Sequence, residues 1–134
     1  MAHNLVLVDS SVWIQYLKNA DSAQAEHLDR LLLDDRVAVC SPIKAEILSG
    51  ARSVEDFRKL QNWFEGLPSL SASDERLWHR IAESRFKLAR KGIQQNLIDL
   101  FIAWIAHEHG VPVWSLDKDF LEITDVVSFK IYRL

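Results

Sequence analysis

Short hydrophobic runs alternate along this chain with longer segments whose hydrophobic residues recur at helical spacing. Residues 5–8 and 37–40 are apolar at every position, and residues 113–115 form a third short run. Continuous runs of this length are typical of strands buried on both faces of a parallel sheet. The alternation of apolar and polar side chains over residues 127–131 predicts one more strand near the end of the chain.

The segments between these runs begin and end at residues that favour helix termini. Ser10 or Ser11 is expected to cap the first helix and Asp21 the second. Gly92 and Gly110 follow the two longest helical segments. Because helices alternate with strands, the pattern predicts an α/β fold, in which a short and mainly parallel central sheet carries helices on both faces.

Chain length and composition fit a single domain over residues 1–134. With 49% hydrophobic residues, the chain can build a core of its own. The single cysteine, Cys40, excludes intrachain disulfides, which fits a reduced, cytoplasmic setting. The most apolar stretch, residues 97–106, is much shorter than the roughly 20 residues that a membrane-spanning helix needs, so no membrane association is expected.

Four acidic residues stand where the predicted topology brings chain segments together. Asp9 follows the first strand directly, and Asp117 follows the run at 113–115 after one residue. Glu46 lies one turn into the helix after the second strand, and Asp99 lies in the first turn of the helix that leads into the third. In open parallel sheets, ligands bind beyond the carboxyl ends of the strands. We therefore expect the four carboxylates to converge.

Asp99 has hydrophobic neighbours on both sides, in a helix that is apolar on nearly every face. An ionised carboxylate buried there without a partner costs several kcal/mol, and the helix N-terminus returns only about 0.3–1 kcal/mol. Glu46 also has mostly apolar neighbours. A hard divalent cation bound by oxygen atoms relieves the repulsion among several carboxylates. Taken singly, Asp9 or Asp117 is explained equally well as a helix cap, so the metal hypothesis depends on the joint pattern.

The sequence around each of these acids resembles a motif of the PIN-domain ribonucleases. The four motifs occur in the family's order and together extend over essentially the whole chain. They are Val8-Asp9-Ser10-Ser11-Val12-Trp13-Ile14, Pro42-Ile43-Lys44-Ala45-Glu46-Ile47-Leu48-Ser49-Gly50, Ile98-Asp99-Leu100-Phe101-Ile102-Ala103 and Ser115-Leu116-Asp117-Lys118-Asp119-Phe120. The chain length and short loops are most similar to those of VapC-type toxins from prokaryotic toxin–antitoxin pairs.

The resemblance implies which residues form the site. The four acids already named would be the acidic quartet that holds Mg²⁺ or Mn²⁺. Ser11 would match the family's small hydroxyl residue near the first acid, and Ser115 stands where the family usually has threonine. Asp119 is a possible auxiliary acid, although the sequence explains it equally well as a surface residue.

The resemblance also implies a PIN-like three-layer fold and the activity of a metal-dependent endoribonuclease. One or two metal ions would generate the attacking hydroxide and stabilise the leaving oxygen of an RNA phosphodiester. The partners implied are an RNA substrate, a cognate antitoxin protein that covers the site, and a second copy in a homodimer.

Two other functions are compatible with parts of the pattern. The first is a catalytically inactive PIN-like module that binds RNA or a protein without cleaving. The second is phosphoryl transfer through an aspartyl nucleophile at Asp9. A phosphatase of that kind requires a second aspartate two residues later, where this chain has Ser11.

The formal net charge of −3 argues against a generic binder of polyanions, but leaving out the four acids raises it to +1. Four basic residues form a stripe near one face of the long helix predicted over residues 74–91, namely Arg76, Arg80, Lys87 and Lys91. Such a stripe suits phosphate groups, and it is explained equally well as a solvated helix face. Trp63 and Phe64 are adjacent, so we do not expect both to face the same core, and one of them is a candidate for a partner interface.

Overall fold

The computed structural model describes residues 4–19, 21–72 and 74–134. Strands and helices alternate in it along most of the chain. In chain order the elements are β1 (Val6–Val8), α1 (Ser10–Lys18), α2 (Ala23–Leu33), β2 (Val37–Cys40), α3 (Ser41–Ser49), α4 (Val54–Glu65), β3 (Ser69–Leu70), α5 (Arg76–Arg90), α6 (Leu97–His109), β4 (Val113–Trp114) and α7 (Asp119–Ile123).

The four strands form one parallel sheet in the order β3-β2-β1-β4. Strand β1 lies inside the sheet, where Leu7 pairs with Ala38 on one side and with Val113 on the other. Both inner strands, β1 and β2, are buried at every position, as continuous apolar runs require. The predicted α/β class with a short parallel sheet is confirmed, and the carboxyl ends of the strands meet at one edge.

The last predicted strand is wrong in extent. Of residues 127–131, Ile131 alone joins the sheet, through a single parallel bridge to Val113. Two backbone hydrogen bonds flank this bridge, from Val113 N to Lys130 O and from Tyr132 N to Val113 O. The sheet beside β4 is therefore closed by one short contact and not by a full strand.

Two of the expected helix caps are also wrong. Helix α1 begins at Ser10, so Asp9 occupies its cap position in place of the expected Ser10 or Ser11. Helix α2 is capped by the hydroxyl of Ser22 and not by Asp21. A serine hydroxyl and an aspartate carboxylate cap about equally well. Which of two adjacent residues caps a helix therefore depends on the position at which the preceding strand or loop ends.

Trp13 is fully buried and donates its indole N–H to the backbone oxygen of Val8 at 3.1 Å. The rings of Trp63 and Phe64 both pack against it, with centroid distances of 5.1 and 5.3 Å. The expectation that the two side chains do not face the same core is therefore wrong. Adjacent helical residues point about 100° apart, so both can contact one large ring.

Part of the basic stripe on α5 is used inside the fold. Arg80 lies 5.6 Å from the ring centre of Trp104 and 3.8 Å from the carboxylate of Glu108. Lys87 pairs with Glu83 one turn earlier, at 3.2 Å. These contacts agree better with a helix face that is partly packed and partly solvated than with a free phosphate-binding stripe.

Within the ranges described, no helix is long and apolar enough to cross a membrane.

Candidate metal centre

Asp9 lies where β1 ends and α1 begins, and 4% of its surface is exposed. Its backbone N–H donates to Trp114 O at 2.9 Å, which ties the ends of β1 and β4 together. Its Oδ2 accepts hydrogen bonds from Ser11 N, from Ser11 Oγ and from Ser115 Oγ. No hydrogen bond found among the described residues ends on Oδ1. Asp9 is thus a helix cap that keeps one oxygen available for a ligand.

The turn after β4 is held by short polar contacts. Ser115 Oγ accepts a hydrogen bond from Asp117 N at 2.9 Å, and Asp117 Oδ1 accepts one from Asp119 N at 2.9 Å. Ser11 Oγ accepts a hydrogen bond from Leu116 N at 3.0 Å, which fixes this turn to the start of α1. Both serines that the sequence assigned as auxiliary therefore connect the first acid to the segment that carries the last two.

Asn96 caps helix α6 and orients Asp99. The Asn96 Oδ1 atom accepts a hydrogen bond from Asp99 N at 2.8 Å, and Asn96 Nδ2 donates to Asp99 Oδ2 at 3.1 Å. This reciprocal pair resembles a capping box, in which the cap and the third helical residue bond each other. The sequence predicts the start of a helix close to Asp99 but not the contact between the two side chains. The signal was the spacing of three between an amide and a carboxylate.

Three carboxylates form the tightest group. Asp99, Asp117 and Asp119 each place one oxygen within 4.8 Å of the others. Asp119, which the sequence suggested only as auxiliary, is therefore a member of the group on equal terms. Asp9 is connected to Asp117 through the hydroxyl of Ser115. Glu46 is outside this group of three, at the exposed rim of the site.

The charges of these acids act on one another. The pKa of Asp99 is raised from 3.8 to about 6, first by burial and then by the negative charges of Asp9 and Asp117. The amide of Asn96 opposes this rise, and the charge of Glu46 adds slightly to it. Burial, and after it the charge of Asp9, also raises the pKa of Glu46. The four acids expected from the sequence thus lie close enough to share one electrostatic environment.

Asp99 and Glu46 are less buried than their apolar sequence neighbours predict. Leu97 and Ile98 are 43% and 41% exposed, so the first turn of α6 has apolar side chains that face solvent. Asp99 in the same turn is only partly buried. Glu46 is exposed, although its sequence neighbours are apolar. Burial is still the largest cause of the raised pKa of Asp99, and repulsion from Asp9 and Asp117 adds to it.

The donor set fits a hard divalent cation. All donors are carboxylate oxygens, the ligands that Mg²⁺ and Mn²⁺ prefer. The pKa of Asp99 is raised by burial and then by the charges of Asp9 and Asp117, and a bound cation would stabilise the ionised carboxylate. Residues that would hold the cation are Asp99, Asp117 and Asp119, with the free oxygen of Asp9 beside them.

Comparison with known proteins identifies the family of the chain. Residues 6–126 match the PIN domain family. Ribonuclease VapC11 from Mycobacterium tuberculosis is 32% identical over 130 residues, which cover 94% of this chain and 96% of that protein. Ribonuclease VapC21 from the same organism is 29% identical over 121 residues, covering 84% and 88%.

Solved structures with the same fold include toxin–antitoxin complexes. VapBC-1 from nontypeable Haemophilus influenzae superposes with a TM-score of 0.74 at 22% identity, over 96% of each chain. VapBC-5 from Mycobacterium tuberculosis, described as a member of the VapBC family of toxin–antitoxin systems, superposes with a TM-score of 0.65 at 25% identity, over 98% of this chain and 99% of that one. With the family match over most of its length and a relative at 32% identity, the chain belongs to the PIN-domain family and, within it, to the VapC ribonucleases.

Proposed function

We propose that this ribonuclease is the toxin of a toxin–antitoxin pair and that it hydrolyses RNA phosphodiester bonds with a divalent cation held by its acidic cluster. The observation that carries the proposal is the approach of Asp99, Asp117 and Asp119 to within 4.8 Å of one another. Such a group is costly without a cation, because like charges at this distance repel. Family membership supplies the reaction class, and the cluster supplies a site for it.

The chain's own side chains have separable tasks in this reaction. When bound, Mg²⁺ or Mn²⁺ supplies an activated water molecule and neutralises charge on the phosphodiester. Ser11 and Ser115 hold Oδ2 of Asp9, so that its other oxygen is directed to the site. Asn96 fixes the carboxylate of Asp99 in the same way. Glu46, with a raised pKa at the exposed rim, is placed to accept a proton from the attacking water.

The proposed partners are RNA, a cognate antitoxin and a second copy of the chain, all in the cytoplasm. An antitoxin is supported by the likeness to VapBC-5 and by a groove of about 700 Å³ between α1, α3 and α4. Glu46 lies on the wall of this groove, together with Ile14 and Leu17, which are 42% and 50% exposed. A peptide with apolar side chains that filled the groove would cover the rim of the acidic site.

Cleavage of RNA by the purified chain tests the proposal. We expect the wild type to cut RNA in Mg²⁺, and EDTA to stop the reaction until the metal is restored. The Asp9→Asn variant should be inactive, whereas Asp125→Asn, the same change at an exposed acid outside the cluster, should cut normally. RNA binding without cleavage by the wild type would support instead the inactive PIN-like module.

A further inference from the structure

Gln95 is a buried polar residue that the reaction chemistry leaves unexplained. It immediately precedes the cap of α6, and 4% of its surface is exposed. Its backbone oxygen accepts a hydrogen bond from Arg85 Nε of α5 at 2.9 Å. Its side-chain Nε2 donates to Glu122 Oε1 of α7 at 3.3 Å. The amide therefore links the start of α6 to α7.

The same two segments carry two acids of the cluster. Asp99 lies about one turn after Gln95, and Asp119 lies about one turn before Glu122. The contact between Gln95 and Glu122 thus lies beside the point where two carboxylates approach and repel each other. A hydrogen bond here opposes the separation that this repulsion favours.

The orientation of the Gln95 amide follows from its partner. The Glu122 carboxylate only accepts hydrogen bonds, so Nε2 must face it and Oε1 must point elsewhere. The Oε1 atom is buried and has no hydrogen-bond partner among the residues described. An unpaired buried oxygen costs free energy that a hydrocarbon side chain of similar length avoids. Stability alone therefore gives no reason for glutamine at this position.

We propose that Gln95 is a positioning residue, which holds the N-terminus of α6 against α7 so that Asp99 and Asp119 stand at metal-binding distance before a cation is bound. This inference rests on the proposed function, because it assumes that the acids bind a cation. Residues behind the ligands of a metal site commonly change its affinity 10–100-fold, and Gln95 acts one contact further away. We therefore expect an effect of about threefold to tenfold.

Manganese titration of the purified, RNA-free chain by calorimetry tests the role. Glu122 is exposed, so Glu122→Ala should leave the fold intact, remove the acceptor for Gln95 and raise the Kd for Mn²⁺ about threefold to tenfold. Glu122→Gln keeps an acceptor oxygen and should bind Mn²⁺ within about twofold of wild type. Asp125→Ala removes one charge from the turn after α7, without changing the contact of Gln95 with Glu122, and should also bind as wild type does.

A second variant separates positioning from stability. Gln95→Met keeps the length of the side chain, removes the unpaired oxygen and loses the bond to Glu122. We expect it to unfold in EDTA at the wild-type temperature or above, yet to bind Mn²⁺ more weakly. Wild-type affinity in both Gln95→Met and Glu122→Ala, or an equal loss in Glu122→Gln and Asp125→Ala, would overturn the positioning role. Failure of the wild type itself to bind Mn²⁺ would instead overturn the proposed function.

Discussion

The hydroxyl of Ser115 donates a 2.8 Å hydrogen bond to Oδ2 of Asp9, which lies 106 positions away in the chain. The Ser115 Oγ atom also accepts a hydrogen bond from the backbone N–H of Asp117 at 2.9 Å. One hydroxyl therefore connects the acid after β1 with the acid after β4, at the sheet edge where the carboxylates meet. The positions of both acids therefore depend on this contact between the ends of β1 and β4, and not on the local segment of either acid alone.

Removing this hydroxyl should loosen the site more than the fold. For Ser115→Ala we expect about tenfold slower RNA cleavage, because Asp9 and Asp117 lose their shared partner. We also expect a loss of about 1 kcal/mol in the free energy of unfolding. Ser115→Thr keeps the hydroxyl and should remain close to wild type. Single-turnover cleavage and urea unfolding measure the two effects, and wild-type cleavage by Ser115→Ala would contradict the role given to this contact.

Replacing Asp99 should abolish cleavage while stabilising the metal-free protein. The asparagine of Asp99→Asn is a poor ligand for a hard cation, but it removes the repulsion from Asp9 and Asp117. After allowance for solvent screening of this partly exposed group, we expect a gain of about 1 kcal/mol in EDTA at pH 7. Asp125→Asn, which changes an exposed acid outside the cluster, is the matched control and should show neither effect.

That gain should depend on pH in a stated direction. The pKa of Asp99 rises from 3.8 to about 6 on folding, so the folded state binds the proton more tightly. Stability contributed by this group is therefore greatest at low pH and falls as pH rises from about 4 to about 6. The advantage of Asp99→Asn over wild type should grow across that window and stay constant above it. Thermal unfolding in EDTA at several pH values measures this, and an advantage that shrinks as pH rises would contradict the assignment.

Metal binding should compete with the same proton. Since the pKa of Asp99 is about 6, Mn²⁺ must displace a proton at pH 5 but largely not at pH 7. We expect the Kd for Mn²⁺ to rise about tenfold from pH 7 to pH 5, with proton release at the lower pH. Calorimetry in two buffers of different ionisation enthalpy detects the released proton. An affinity independent of pH over this range would exclude Asp99 as a ligand.

Asp119 and Glu46 should respond differently to loss of charge. Asp119 belongs to the group within 4.8 Å, so Asp119→Asn should weaken Mn²⁺ binding at least about tenfold. Glu46 lies at the exposed rim, so Glu46→Gln should slow cleavage while changing the Kd for Mn²⁺ less than about threefold. The ratio of the cleavage and binding effects distinguishes the two roles. Equal effects on metal binding would show that the cation lies nearer to Glu46.

The sequence predicts the sheet edge better than it predicts the site. Continuous apolar runs located β1 and β2, and the acids after the strands followed from parallel topology. Asp119 was harder to assign, because its carboxylate reaches the group through a turn that depends on hydrogen bonds to Asp117 and Ser115. This turn is itself fixed to the start of α1, because Ser115 contacts Asp9 and Leu116 contacts Ser11 across 106 and 105 positions. No local pattern in the sequence encodes these two contacts.

The sequence identifies Asp99 as a site residue, but the burial that it predicts for this side chain is only partly correct. Its apolar neighbours predict full burial, but Leu97 and Ile98 are 43% and 41% exposed. Burial still contributes most to its raised pKa, and the nearby acids supply the rest. The packing of Trp63 and Phe64 on Trp13 is a similar case, because adjacent residues can share one core when the ring between them is large.

The position of a bound cation is the most direct test of whether the acidic cluster around Asp99 binds a metal ion. Anomalous diffraction from a crystal grown with Mn²⁺ locates the ion independently of any assay. We expect an anomalous peak about 2.0–2.6 Å from carboxylate oxygens of Asp99 and its neighbours in the cluster. Binding elsewhere on the surface, with no peak at Asp99 in a crystal saturated with Mn²⁺, would contradict it.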